Sequence, residues 1–461
     1  MYHRLRVGLL VVFCLSIGNL FGLFAQHSTD YYSLSMVGNA GNGIFAPYYL
    51  SANKHGLVTH SKSGYLRASV FKGLEMNKRF SYEFGIDLVG LMSSTSPVSY
   101  YSDGNLKTHN PGVSSFLIQQ AYIGMKYRMI FISAGCRELT DEVVNFELSS
   151  GGLVWSGNAR PIPQVRAGFI DFVDIPFTKG WVQIKGELAY GKFMDNDFLR
   201  DHYNYYNQYT TDALCHHKSI SFRSNPDKPF VVTIGAELAA QFGGTKRYYE
   251  KGILIDSLTM KSPTRLKDFF KILFPSSGDG QTNEGDQAYY YGNHVGQWNL
   301  SAEYRFKDNS SVRGYFEWYF DDASGMGKFN GWDGLWGLEY KSGKKNWLSN
   351  VVLEYLDMTN QSGPLNWCPS DYNDPKLDIE ATGADDYYNN YFYNGWAHYG
   401  LSNGTAMAKS LLYNTDGYMR YKHNRIRGVH LGASGYIAPE WKYKILASYR
   451  TSWGTTFLPL A

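Results

Sequence analysis

Residues Phe80 to Leu91 read FSYEFGIDLVGL. Phe80, Tyr82, Phe84, Ile86 and Leu88 fall on one face of an extended chain, and Ser81, Glu83, Gly85 and Asp87 on the other, because side chains alternate with period two along a strand. One such stretch fits a water-soluble sandwich equally well. The pattern, however, returns at least eight times over about 400 residues, with little helical periodicity between. Residues Trp181 to Tyr190 repeat it, with Val182, Ile184, Leu188 and Tyr190 opposite Gln183, Lys185 and Glu187. So do Val231 to Phe242 and His294 to Phe306, where Trp298, Leu300, Ala302, Tyr304 and Phe306 oppose Gln297, Asn299, Ser301, Glu303 and Arg305. Fifteen to seventeen strands are expected, and their number and length favour an all-β, transmembrane antiparallel β-barrel.

Composition agrees. Only 18% of the 461 residues are charged, while 16% are aromatic and 48 are glycine. Aromatic girdles, turn glycines and a polar lumen give that profile. The mean hydropathy of -0.35 does not oppose membrane insertion, since alternate strand residues face away from lipid. Beyond the N-terminus no segment has the run of about 18 apolar residues of a spanning helix.

The N-terminus carries an address. Arg4 and Arg6 precede the apolar run Val7 to Phe24, and Ala25 offers a cleavage point. Residues 1–25 are therefore expected to be a secretory signal peptide, and 26–461 a single barrel domain. Cys14 lies inside the apolar run and not after a cleavage site, which argues against lipidation. Without Arg4 and Arg6 the chain has 42 basic against 41 acidic side chains, no footprint of a nucleic-acid partner. Cys136, Cys215 and Cys368 allow one disulfide but form no metal knuckle, and no cofactor is expected.

One helix interrupts the strands near 263–274, where Leu266, Phe269, Phe270 and Leu273 recur at helical spacing before Pro275. It is expected as a plug or cap against the barrel end rather than a membrane-surface helix. Thr359 to about Lys409 is the longest irregular stretch, and strands are expected again at Tyr418 to Arg425, Arg427 to Ile437 and Trp441 to Ser452. The closing Phe457 to Ala461 lacks an amphipathic strand ending in an aromatic residue, so one to three closing strands are expected to be missing.

Several motifs exceed a generic barrel. Ser149 to Arg166, SSGGLVWSGNARPIPQVR, describes a fixed turn carrying polar side chains. With GNAGNGIFAPYYLSANKHG from Gly38, DIPFTKGWVQIKGELAYG from Asp174 and GNHVGQWNLSAEYRF from Gly292, it resembles the capsule-assembly Wzi family of outer-membrane proteins. DDASGM from Asp321, DGLWGLEY from Asp333 and QSGP from Gln361 extend the likeness over residues 31–457. The resemblance implies an 18-stranded outer-membrane barrel with helical elements at the periplasmic end. It also implies a lectin that holds capsular or other surface polysaccharide at the cell surface.

The loops are compatible with sugar binding, which uses aromatic faces beside amides and charged groups. The stretch Tyr387 to Trp396 has that composition, with Tyr391, Tyr393 and Trp396 as candidates, as does Trp367. Asp201 to Tyr209 is a second candidate stretch. A girdle or a self-packing loop accounts for the same residues. Arg160 with Asn158 suits an acidic sugar, or Arg160 pairs with a lumenal carboxylate such as Glu187. Asp321, Asp322 and Ser324 suit Ca²⁺ less well than a solvated acidic turn.

No catalytic residues are expected. His216 and His217 point to opposite strand faces, and Gly432-Ala433-Ser434-Gly435 lacks the G-x-S-x-G spacing of a nucleophile elbow. The protein is expected to act as a monomer, non-enzymatically, in contact with outer-membrane lipid. A diffusion channel is the alternative.

Overall fold

Alternating strands govern the architecture. The computed structural model describes residues 30–460 except 140, 142, 289, 322, 327–330 and 362–384. Among them, 18 strands form one sheet. Three of these, Val173–Asp174, Ile253–Leu254 and Met260–Lys261, have two residues each, leaving fifteen staves. They are β1 (Asp30–Asn39), β2 (Ser63–Lys72), β3 (Phe80–Ser93), β4 (Phe116–Tyr127) and β5 (Ile130–Cys136). Next come β6 (Gln164–Phe169), β7 (Val182–Lys192), β8 (Gln208–Ser224), β9 (Phe230–Glu250) and β10 (Asn293–Arg305). The last are β11 (Ser311–Phe320), β12 (Gly334–Lys341), β13 (Asn350–Asp357), β14 (Ile426–Ala438) and β15 (Trp441–Ser452). Each stave pairs antiparallel with its neighbour in sequence, from β1–β2 to β14–β15. The fold is an all-β antiparallel barrel. Among the described residues no helix is long and apolar enough to cross a membrane.

The register of β3 is the one its sequence dictates. Ser81, Glu83 and Asp87 are buried on the lumenal face, and Phe80, Tyr82, Ile86 and Leu88 are exposed outside. The extremes, Asp87 at 0% and Phe80 at 57% exposure, invert the pattern of a soluble protein, whose charges face water. The outer belt ends at an aromatic rim of Phe80, Tyr127, Phe230, Tyr304 and Trp441, all exposed. Aromatic rings prefer the membrane–water boundary for their mixed character.

The two ends of the barrel differ. At the aromatic rim the staves join by short turns, such as 128–129, 225–229 and 306–310. At the opposite end lie the described residues of 94–115, 137–163, 193–207, 251–292 and 358–425. Long loops of this kind face the cell exterior in outer-membrane barrels.

Two expectations are corrected, and one stave lies where the sequence has no strong period: Asp30–Asn39, at the start of the polar Gly/Asn-rich stretch that runs to Gly56, pairs residue by residue with β2. Tyr418 to Arg425 forms no strand, because Tyr421 and Asn424 are drawn into the barrel interior, where the Asn389 Oδ1 accepts from Tyr421 N at 2.8 Å. The helix, at Leu266–Leu273, neither plugs the lumen nor lies at the short-turn end. It packs on the outer wall beside the long loops.

Candidate functional site: a filled lumen beneath an aromatic cleft

The barrel interior is built on lumenal carboxylates. Glu317, Glu339 and Glu354 stand on the inner faces of β11, β12 and β13 and are buried. A buried carboxylate requires donors, and the segment 141–158 supplies them. Glu354 accepts from Ser149 Oγ at 2.6 Å and Ser150 N at 2.7 Å. Leu153 N donates to Glu317 at 2.8 Å, Val154 N to the Gln297 amide oxygen at 3.1 Å and Asn145 Nδ2 to Glu339 at 2.7 Å. On β14, His430 Nε2 donates to Leu148 O at 2.6 Å. The SSGG motif is thus a turn laid across the inner wall. Its passage needs Gly432, where a Cβ would stand 2.2 Å from Leu148 O.

A second layer covers the first. Tyr388 donates its hydroxyl to Leu153 O at 2.6 Å, Trp396 its indole N–H to Val154 O at 2.8 Å, and Tyr421 its hydroxyl to Trp396 O at 2.9 Å. Leu153, Val154, Tyr388, Trp396 and Tyr421 belong to one buried apolar cluster with the wall residues Cys215, Ala239, Val295 and Tyr319. The hydrophobic core of this protein therefore lies inside its barrel.

Below these layers, toward the short turns, is a charged cavity of about 330 Å³. Its ions pair with one another: Arg137 with Glu83 at 2.9 Å, Arg166 with Glu187 at 2.8 Å, and His217 with Glu237 at 2.8 Å. Asp141 borders the cavity, and burial pushes its carboxyl up to about 7.

Above the layers, at the long-loop end, a cleft of about 180 Å³ opens between the 193–207 loop with the start of β8 and two segments of the 358–425 loop. Tyr203, Tyr206 and Gln208 line it from one side, Asn394 from the second, and Tyr418 and Arg420 from the third. The loops are cross-tied, since Tyr391 O accepts from both Gln208 Nε2 and Arg420 Nη2, the latter at 3.1 Å. Lys246 Nζ stands 5.0 Å over the Phe392 ring. The two Tyr/Asn-rich stretches recognised in the sequence, 201–209 and 387–396, thus share one cleft.

The individual candidates separate. Tyr391 is exposed, while Tyr393, Trp396 and Asn158 are buried. Asn158 Nδ2 donates to Ser402 O at 3.1 Å. Arg160 is partly exposed, with its guanidinium 4.0 Å over the Tyr399 ring. Glu187, the proposed alternative partner of Arg160, is held by Arg166 instead. Trp367 and Cys368 lie outside the described residues, as do Asp322 and the side chain of Ser324. Asp321 accepts a hydrogen bond from Tyr319. Cys136 and Cys215 are free thiols. His216 and His217 face opposite sides of the wall, bonded to Ala189 O and Glu237 respectively. Among the described residues no cluster is arranged to hold a metal ion. Sequence reasoning did not find Arg420 and Tyr418, which it assigned to a strand, nor the acceptor role of Glu317 and Glu354. The lumenal register of those glutamates was the available signal.

No family model matches the chain, and no curated protein matches it. Among solved structures, it is similar to a Rh. blastica porin at 11% identity, covering 63% of this chain and 85% of that one, with a TM-score of 0.25. It is also similar to Pseudomonas aeruginosa OccD3, at 8% identity, covering 85% and 81%, with a TM-score of 0.27. Over 93% of its length and 82% of the other chain, at 12% identity and a TM-score of 0.48, it is similar in fold to Wzi, an outer membrane protein involved in group 1 capsule assembly in Escherichia coli, described as a carbohydrate binding β-barrel.

Proposed function

We propose that this protein is a non-enzymatic outer-membrane lectin that attaches capsular or other surface polysaccharide to the cell, or helps assemble it there. The observation that carries the reading is the cleft at the long-loop end. Tyr206 and Tyr418 offer ring faces above the buried Tyr203, Gln208 and Asn394 offer amides, and Arg420 offers a fixed planar cation. Such a set binds sugar rings through their C–H faces and hydroxyls, and prefers acidic units. Tyr391, whose carbonyl ties Gln208 to Arg420, is a further contact in this reading, and Arg160, which lines a separate pocket with His55 and Trp155, is a second point of attachment. Asn158, Tyr393 and Trp396 hold the loops in place from beneath. Trp367 is a further candidate by its residue type.

The motifs shared with the Wzi family support the reading, and Wzi itself is named as carbohydrate binding. Residues 1–25 deliver the chain for export, and a single barrel acts alone. A diffusion channel is the second reading. It is disfavoured because the buried cluster around Trp396 occupies the lumen.

The test is binding of the purified protein in detergent to capsular polysaccharide extracted from its own cell. Retention that weakens at least tenfold in Arg420→Ala and Tyr206→Ala, with the heat-modifiable mobility of a folded barrel kept, supports the lectin. Equal retention by both variants rejects this cleft.

A further inference from the structure

The Leu266–Leu273 helix sits on the wrong side of the wall for a plug. Two apolar clusters use opposite faces of the same staves. Cys215 and Ala239 belong to the lumenal cluster, whereas their neighbours Leu214 and Ala240 pack with Phe242, Phe269, Ile272 and Tyr291. Phe269 and Ile272 are helix residues, so the helix lies against the outer surface of β7, β8, β9 and β10.

That patch of wall is unlike the rest of the belt. Register places Tyr190, His216, Ala240 and His294 side by side across four staves, with Lys218 one step nearer the membrane centre. Polar groups on a lipid-facing barrel surface are costly. Here the helix and its flanks cover them. Lys218 Nζ donates to the C-terminal helix carbonyls of Ile272 and Leu273. Tyr190 donates its hydroxyl to Phe269 O at 2.9 Å, and His294 Nε2 bonds Tyr291 O at 2.9 Å. A cationic side chain at a helix C-terminus also meets the negative end of the helix dipole.

The other side of the helix is apolar and uncovered. Leu266 is 76% exposed, Phe270 56% and Phe274 69%. The exposed wall below continues the same surface through Ile220, Ile234, Trp298 and Leu300, all on the outward parity of β8, β9 and β10. The charges turn elsewhere. Arg265, Lys267 and Lys271 gather on Asp279, at 2.9, 2.9 and 3.6 Å.

We propose that this helix is a lipid-contacting element, which shields the Tyr190–His216–His294–Lys218 patch and inserts Leu266, Phe270 and Phe274 into the acyl region of the outer leaflet. Lipid is the occupant because the apolar side is continuous with the barrel's belt and lies beside the long-loop rim. An amphipathic helix in that position lies in the interface plane. The inference stands independently of any glycan.

The test uses the full-length protein in phosphatidylethanolamine–phosphatidylglycerol vesicles. Cys136, Cys215 and Cys368 are replaced by alanine, and a nitroxide is attached at Phe270→Cys, with Ile234→Cys as the belt reference and Lys267→Cys as the water reference. Leu266→Cys gives a second position that sacrifices little packing. The expected result is oxygen accessibility far above that of a water-soluble nickel quencher at 266 and 270, matching 234 and several-fold above the ratio at 267. A ratio at both positions equal to that at 267 overturns the proposal. So does dipolar broadening between labels on separate molecules, which places a second copy on this face.

Discussion

The indole N–H of Trp396 donates to the carbonyl of Val154 at 2.8 Å, across 242 residues of sequence. This bond joins the two layers that fill the barrel. Val154 N is bonded in turn to Gln297 on the wall, so wall, inner turn and upper loop form one chain of contacts.

Trp396→Ala is expected to loosen the filling and leave the barrel standing. Truncating a buried tryptophan costs about 3–5 kcal/mol, and the loss falls on loops whose other anchors, Tyr388 and Tyr421, persist. In planar bilayers the wild-type protein is expected to conduct little, and the variant to open frequently. Trp396→Phe removes the donor, about 1 kcal/mol, and part of the ring volume but keeps an aromatic in place, and is expected to conduct much less than Trp396→Ala.

Glu354 accepts from Ser149, Ser150 and the Tyr315 hydroxyl. Glu354→Ala leaves those donors buried and unpaired, at roughly 3 kcal/mol for the site. Urea unfolding followed by tryptophan emission is expected to shift to lower denaturant. Glu354→Gln, which keeps the acceptor oxygen for Ser149 and Tyr315 but sets an amide NH2 against Ser150 N, is expected to lose less than Glu354→Ala.

Two carboxyls outside the staves make the loop layers sensitive to pH. Burial raises Asp195 from its ordinary 3.8 to about 7, opposed by the Tyr399 N–H that it accepts and by the Arg160 charge. Burial raises Asp286 likewise to about 7, against the Gly292 N–H, Asn283 and Lys246. A carboxyl raised on folding contributes stability that is whole below about pH 4 and lost as pH climbs through 7. Hydrogen exchange in 193–207 and 278–292 is therefore expected to be slower at pH 5 than at pH 8, after correction for intrinsic rate. Asp195→Asn is expected to flatten that difference in the first segment.

Gly432 is expected to reject side chains. A Cβ there meets Leu148 O at 2.2 Å, so Gly432→Val displaces the inner turn, with conductance rising as in Trp396→Ala. Gly38, whose Cβ position is open within 4 Å, is the control and is expected to tolerate alanine.

The wall was legible because its physics is local. Period-two alternation in Phe80 to Leu91 fixed which residues face lipid, and the register with β4 follows it with one irregularity at Asp87/Leu88. The interior was not legible, because it depends on residues hundreds of positions apart. Tyr418 to Arg425 has the aromatic alternation of a strand, yet Tyr421 is claimed by Asn389 and Trp396 inside the barrel. The helix periodicity was visible, but its side of the wall was decided by Lys218 and Tyr190, whose outward polar groups need covering. Composition marked the Tyr/Asn-rich stretches 201–209 and 387–396, although seven of their ten Tyr, Phe and Trp residues proved to be core.

The most direct test of the lectin reading is made in the native cell. The gene is deleted, and cell-bound and shed polysaccharide are measured separately, with wild-type or Arg420→Ala protein restored. The account predicts unchanged total synthesis, a fall in the bound fraction, recovery with the wild type and none with Arg420→Ala. An unchanged bound fraction in the deletion strain would contradict it.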